Sequence, residues 1–212
     1  MPDASQLPRL VVDGTNALRR GQGLHEVKPE ARLTQAAREF AQFMARTDRF
    51  EHDADGRHPQ DRARAQGYDY CLVSENIGFE FDSRGFATRE LARDFVEGWK
   101  HSPAHRRNME EPDVVDIGVA VARSAKTGRY YGVQMFGRPA RLGVRFSVEN
   151  RSRAAVEYRI GERQFPLPPR VVRTHRECVP GDVSFAGRAV RAADGDRFIV
   201  VQERGRLALE RE

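Results

Sequence analysis

The spacing of apolar positions divides the chain into two parts with different periods. In the first part, Leu7, Leu10, Val11, Gly14, Ala17 and Leu18 recur three and four residues apart, which predicts a helix over 7–20 despite its central glycine, stopped at Gly21-Gln22-Gly23. A second helix, over 30–49, carries Leu33, Ala36, Ala37, Phe40, Phe43 and Met44 on one stripe, with Arg32, Gln35, Arg38, Glu39 and Gln42 largely off it. Asp53 to His58 form a turn by composition, and Pro59 suits the first position of a short helix over 59–66 that Gly67 ends. Tyr68 to Ile77 is apolar without helical period and leads Glu75 into the middle of the domain. Thr88 reads as an N-cap, with Leu91, Phe95 and Trp99 following at i+4 steps to residue 100. Ser102-Pro103 repeats the start signal and opens a short helix with His105 in its first turn.

The period then changes to two. Val115, Ile117, Val119 and Val121 alternate, Ser124 to Gly128 turn the chain, and Tyr131, Val133 and Met135 alternate up to Gly137. Four or five helices followed by a strand pair predict an α+β domain over 1–140, with helices on a sheet. Arg138-Pro139 marks the boundary. Beyond it, Val144, Phe146 and Val148, then Val156, Tyr158 and Ile160, then Phe165 and Leu167, Phe198 and Val200, and finally Leu207 and Leu209 read as short strands. They predict a small all-β domain over 141–212, a sandwich or partial barrel.

Composition sharpens this picture in three places. With 39% hydrophobic and 32% charged residues the chain belongs to the globular class with a well-solvated surface, and no stretch approaches eighteen apolar residues. Residues 1–140 are balanced in charge, so the whole excess of +5 sits in 141–212. All of the cations there are arginines scattered singly, a compositional bias rather than a nucleic-acid site, so nucleic acid is not an expected partner. Cys71 and Cys178 have no zinc-finger spacing; they are either one long-range disulfide of an exported protein or two buried thiols. The start, Met-Pro-Asp-Ala-Ser-Gln, lacks the basic and apolar regions of a signal peptide.

The candidate chemistry lies in three distant segments: His52, Glu75 and His105. Two imidazoles and a carboxylate are the inventory of a divalent-metal site or an acid/base centre. Neutral imidazoles suit Zn(II), and a carboxylate can either ligate or accept the second ring N–H and fix the tautomer. The structural alternative is that the histidines pin loops around a buried water while Glu75 holds a backbone N–H or a histidine. Glu51, Asp53, Asp55 and Gly56 echo half of an EF-hand loop, but Arg62 stands where a bidentate Glu is required. Glu51-His52 is not HExxH, so a zincin-type protease is not expected. Ser102 is read as a helix cap rather than a nucleophile beside His105, and His25, His58, His101 and His175 as solvated or turn residues.

Taken in order, these residues resemble a known family. Asn16 with Arg19, Arg49-Phe50-Glu51-His52-Asp-Ala-Asp-Gly56, Pro59-Gln-Asp-Arg62, Gly67-Tyr68, Ser74-Glu75-Asn76-Ile77, Trp99-Lys-His-Ser102-Pro-Ala-His105-Arg-Arg-Asn108, Ile117-Gly118 and Tyr131-Gly-Val-Gln134-Met-Phe136-Gly137 resemble the bacterial branch of the CAP superfamily (cysteine-rich secretory, antigen 5 and pathogenesis-related 1 proteins; SCP domains). The resemblance covers roughly 7–137. It implies an α-β-α sandwich whose central cavity holds two histidines and two acidic residues, in several members around a divalent cation such as Zn2+. By motif position His52 and His105 are the histidines and Glu75 the first glutamate; the second falls on Ser102, which removes one anionic partner. Asn76, Ser102 and Gln134 are expected to line the cavity. The resemblance further implies an extracytoplasmic location. The leading functional expectation is a non-enzymatic binding protein that takes a divalent metal or a small or lipid-like ligand, with the β domain contacting the envelope or a protein. One alternative is a metal-dependent hydrolase with Glu75 as general base. The other is a structural interaction module with a vestigial pocket.

Overall fold

A computed structural model of the chain describes every residue except Met1 and Arg204. It divides into two compact units, Met1–Pro139 and Ala140–Glu212. In the first, helix α1 is Leu7–Gly21, strand β1 is Lys28–Pro29, α2 is Ala31–Thr47 and α3 is Pro59–Ala65. They are followed by β2 (Tyr70–Glu80), α4 (Thr88–His101), α5 (Pro103–Met109), β3 (Asp116–Arg123) and β4 (Tyr130–Pro139).

The strands form one mixed sheet in the order β1-β3-β4-β2, antiparallel except for the β1–β3 pair. Alternation along β4 explains the layering. Tyr131, Val133 and Met135 point to one face, where they pack with the Leu33–Met44 stripe of α2 and with Ala63 of α3. Tyr130 and Phe136 point to the other, where Val11 of α1 and Leu91, Phe95 and Trp99 of α4 close a second core. Both faces of the sheet are therefore covered by helices, an α-β-α sandwich. Small residues allow the close approach: a Cβ at Gly118 of β3 would fall inside the backbone of Leu33 and Thr34, and one at Gly14 of α1 would meet Val96 Cγ2 of α4 at 3.0 Å. The helical glycine that weakens α1 locally is thus the residue that lets α4 dock on it.

Two start signals work differently from the sequence reading. Thr88 is the first residue of α4 rather than its N-cap; Ala87 holds that position, with its N–H bonded to Glu90, while the Thr88 hydroxyl accepts the Asp3 N–H at 2.9 Å. Ser102 does occupy the N-cap position of α5, but its hydroxyl makes no capping bond.

The second unit is a β-sandwich. Its strands are β5 (Val144–Asn150), β6 (Val156–Ile160), β7 (Arg163–Leu167), β8 (Val172–Glu177), β9 (Asp182–Phe185), β10 (Arg188–Arg191), β11 (Arg197–Glu203) and β12 (Arg206–Arg211). They form two four-stranded sheets, β10-β9-β6-β7 and β12-β11-β5-β8, closed over Phe146, Val148, Tyr158, Leu167, Phe198 and Val200. Three of these strands, β8 to β10, lie outside the sequence expectation, and His175 on β8 overturns its reading as a solvated residue. It is buried, stacked on Phe146, edge-on to Phe165 and hydrogen-bonded to the Tyr158 hydroxyl. Burial holds the imidazole below the usual histidine value and pushes the Tyr158 hydroxyl up to about 12.

Candidate functional site

The site is built around β2, the outer strand of the first sheet. Successive side chains of a strand point to opposite faces, so Glu75 faces α2 and α3 while Asn76 faces α5. The two residues of the Ser-Glu-Asn motif therefore hold different histidines from either side of one strand.

On the Glu75 face the organising group is a buried cation. Arg62, carried by α3, is 1% exposed, and the Glu75 side chain is fully buried. Arg62 Nη2 lies 3.0 and 2.9 Å from the two Glu75 oxygens and donates to the His52 carbonyl at 2.8 Å. Nη1 donates to Asp55 Oδ1 and to the Arg57 carbonyl, each at 2.8 Å, and the guanidinium carbon sits 3.6 Å from the centre of the Phe40 ring. A lone buried charge costs several kcal/mol, so this cation and its carboxylates are interdependent. His52 Nδ1 is 2.9 Å from Glu75 Oε1. A carboxylate facing a guanidinium acts as an acceptor, so in the neutral imidazole Nδ1 carries the hydrogen and Nε2 the lone pair. The His52 side chain is half exposed, which leaves that nitrogen within reach of solvent.

On the other face a chain of side-chain amides supports His105. Gln134 donates to Thr15 Oγ1 at 2.8 Å, Asn76 to Gln134 Oε1 at 3.0 Å and Asn108 to Asn76 Oδ1 at 2.8 Å. Asn76 also donates to the His105 carbonyl at 3.1 Å, which fixes the first turn of α5 against the strand. Asn76 and Gln134 are fully buried, and their amides support the backbone of α5 from behind. Ser102 stands at the start of α5, half-buried. The His105 imidazole is held below the usual histidine value, first by burial and second by the nearby His52, and so is uncharged at neutral pH.

Further motif residues acquire structural roles. Asn16 exchanges two hydrogen bonds with the backbone of Val27, at 3.0 and 2.9 Å. Arg19, fully buried, ties the carbonyls of His25, Met109 and Glu111. Among the described residues, no group of three or more His, Cys, Asp or Glu side chains is arranged to hold a metal ion. The donor set that remains is two imidazoles, with Glu75 bonded to Arg62 and His52. Sequence reasoning missed the part played by Arg62. Its signals were its place in the Pro59-Gln-Asp-Arg62 motif and its position, an arginine where a calcium loop needs glutamate.

An α-β-α sandwich with two histidines brought to the outer strand of its sheet defines the class of protein. A model of the cysteine-rich secretory protein (CAP) family matches residues 12–136, and the chain belongs to that family. It is 31% identical over 121 residues to the uncharacterized protein YkwD of Bacillus subtilis (strain 168), a match spanning 57% of this chain and 44% of that protein, under half of its length. The fold resembles that of an extracellular SCP-domain protein from Bacillus anthracis (TM-score 0.54, 21% identity, 64% of this chain and 41% of that one). It also resembles an outer surface protein from Borrelia burgdorferi (TM-score 0.54, 18% identity, 62% of this chain and 91% of that one).

Two outcomes follow from this geometry. Arg62→Met strands Glu75 in the core and lowers unfolding stability by roughly 3–5 kcal/mol in urea titrations. Adding Glu75→Gln to it costs less than the sum of the two single changes; strict additivity would mean the pair is not coupled. By NMR, His105 titrates below the ordinary value of 6.5, and His52→Ala raises its midpoint without reaching 6.5, because burial is the larger cause. Since the folded value is the depressed one, the unfolded chain takes this proton first. The contribution of His105 to stability is complete above 6.5 and declines as pH falls through the folded midpoint. A wild-type midpoint at or above 6.5 contradicts the burial described.

Proposed function

We propose that the chain is an exported, non-enzymatic binding protein in which His52 and His105 together hold a divalent cation of the Zn(II) type. The observation that carries this reading is the Glu75 carboxylate on His52 Nδ1, which leaves Nε2 as the ligating nitrogen. His105, uncharged at neutral pH, supplies the second imidazole. A bound cation would supply Lewis acidity and a fixed positive charge for an anionic ligand. With Ser102 in place of a second carboxylate, water completes the shell, so affinity is modest. Both cysteines are disulfide-bonded, which supports an oxidising, extracytoplasmic location, and among the described residues no helix is long and apolar enough to cross a membrane. The β unit then serves as the contact with envelope or protein.

The hydrolase reading is weaker for a structural reason. It asks Glu75 to act as general base, yet both carboxylate oxygens accept from Arg62 and one of them also from His52. A lipid-like ligand is the second binding reading; a groove of about 510 Å³ between α1 and α4 joins apolar Leu10, Leu18 and Val96 to charged Arg89, Arg93 and Lys100, a lining suited to an amphipathic molecule.

Calorimetric titration of Zn(II) into chelator-treated protein, at a pH where both imidazoles are neutral, tests the main reading. Wild type takes one equivalent with micromolar affinity, and His52→Ala/His105→Ala takes none. Equal binding by the two proteins, or no binding by wild type, removes the cation from the account.

A further inference from the structure

The two sheets of the β unit end in the strands β10, β7, β12 and β8, and three of these edges are blunted. Pro166 in β7 has no N–H to give to another strand. The Leu209 carbonyl of β12 accepts from Arg188 Nη1 at 2.6 Å, and β10 is only four residues long. β8 differs, running six residues without a proline. Its ladder with β5 shows which backbone groups face outward. Asn150 of β5 donates its N–H to the Val171 carbonyl, whereas Ser147, opposite Thr174, turns its N–H away from β8 to the Asp196 carbonyl. Alternate residues of an antiparallel strand face the partner, so Arg173 and His175 bond to β5. Val172, Thr174 and Arg176 turn their N–H and C=O groups to the open edge.

The side chains along this edge are apolar and cationic. Val171 and Val172 are 38% and 57% exposed. Arg145 of β5 stands directly opposite Arg176, and both are exposed on the outer face of the sheet. Like charges at opposed positions of an antiparallel pair are destabilising, and this pair is of the kind without ladder bonds, where side chains are closest. Among the described residues neither arginine takes part in an ion pair, and nor do Arg170 and Arg173. The neighbouring acids are engaged elsewhere. Arg163 holds Glu177, Arg151 and Arg197 hold Glu149 and Glu212, and Asp194 accepts the Arg145 N–H. Glu162, beside Arg163, is the exposed acid that remains. The segment 170–177 thus sets Arg170, Arg173 and Arg176 against one neutralised carboxylate, within a region, 141–212, that carries the whole +5 excess of the chain.

We propose that the β8 edge receives an acidic, extended segment of a protein partner as an added strand. The backbone of that segment pairs with Val172, Thr174 and Arg176, its carboxylates neutralise Arg176 and Arg145 behind it, and an apolar side chain covers Val172. Charge and backbone together select this occupant. A second copy of the chain would set Arg173 and Arg176 against their own kind. A polyphosphate or nucleic acid would satisfy the arginines and leave the outward N–H and C=O groups of the edge without a backbone to pair with. The inference rests on the reading of the β unit as a contact module, to which it gives a surface and a partner, and it is independent of His52 and His105.

NMR titration of the full chain with a blocked peptide of alternating Glu and Val tests it. The amides of Val172, Thr174 and Arg176 shift and their hydrogen exchange slows, high salt weakens the binding, and a Lys-Val peptide does not bind. The fully N-methylated Glu-Val peptide keeps the charge, has no N–H, and fails to bind. Thr174→Pro removes an outward N–H without removing a bond to β5, and Arg176→Glu reverses an exposed charge; each weakens binding by roughly tenfold. Arg176→Glu also leaves the unfolding temperature as high as in wild type or higher, because the new carboxylate faces Arg145. The proposal is overturned if the Glu-Val peptide does not bind, if its N-methylated form or heparin binds as well as it does, or if both variants bind as wild type does. Binding that maps to other amides of the β unit overturns the edge while leaving the unit its contact role.

Discussion

A guanidinium buried against a carboxylate sets the terms for the rest of the first unit. Neither Arg62 nor Glu75 can be taken out of water alone at tolerable cost, so the fold must bring α3 and β2 together in one register. The same guanidinium fixes the loop between α2 and α3, through the carbonyls of His52 and Arg57 and the carboxylate of Asp55, and it lies on Phe40 of α2. Asp55, part of an acidic run that looks like half a cation loop in the sequence, is met from inside by the protein's own cation. Orientation of His52 is a consequence of that arrangement, since the carboxylate that orders the imidazole is itself ordered by Arg62.

The second histidine depends on different physics. His105 is carried by a seven-residue helix that has too few turns to be stable alone, and the amide chain Thr15–Gln134–Asn76–Asn108 supplies what helix propensity does not. That chain joins α1, β4, β2 and α5 in the core, so His105 moves only if three other elements move. One imidazole is thus anchored by charge and the other by buried amides, from opposite faces of one strand. On its solvent side the His52 imidazole is half exposed.

How far this was readable beforehand varied with the type of side chain that fills the interior. Where the core is aliphatic or aromatic, as along α2, α4, β3 and β4, the period of Leu33–Met44 or Ile117–Val121 located the element within a few residues. The motif order around His52, Glu75 and His105 likewise pointed to segments that the fold gathers at one strand. Polar groups that work from inside gave no such signal. Val172-Arg-Thr-His-Arg-Glu177 does not alternate as an apolar strand because its inward side includes His175, made acceptable by Phe146, Phe165 and the Tyr158 hydroxyl. Arg62 likewise reads as a surface residue by type and is buried by its partners. Burial of a polar group is a property of the pair, and pairs distant in sequence do not show in a period.

The central claim is that Glu75, held by Arg62, presents His52 with its proton on Nδ1 and its lone pair on Nε2. Long-range proton–nitrogen correlation NMR on nitrogen-15 histidine, at a pH where the imidazole is neutral, reads that tautomer directly. The account predicts a pyrrole-type Nδ1 and a pyridine-type Nε2 for His52 in wild type, and loss of that bias in Arg62→Met. An Nε2–H tautomer for wild-type His52, or a freely averaging ring, would contradict it.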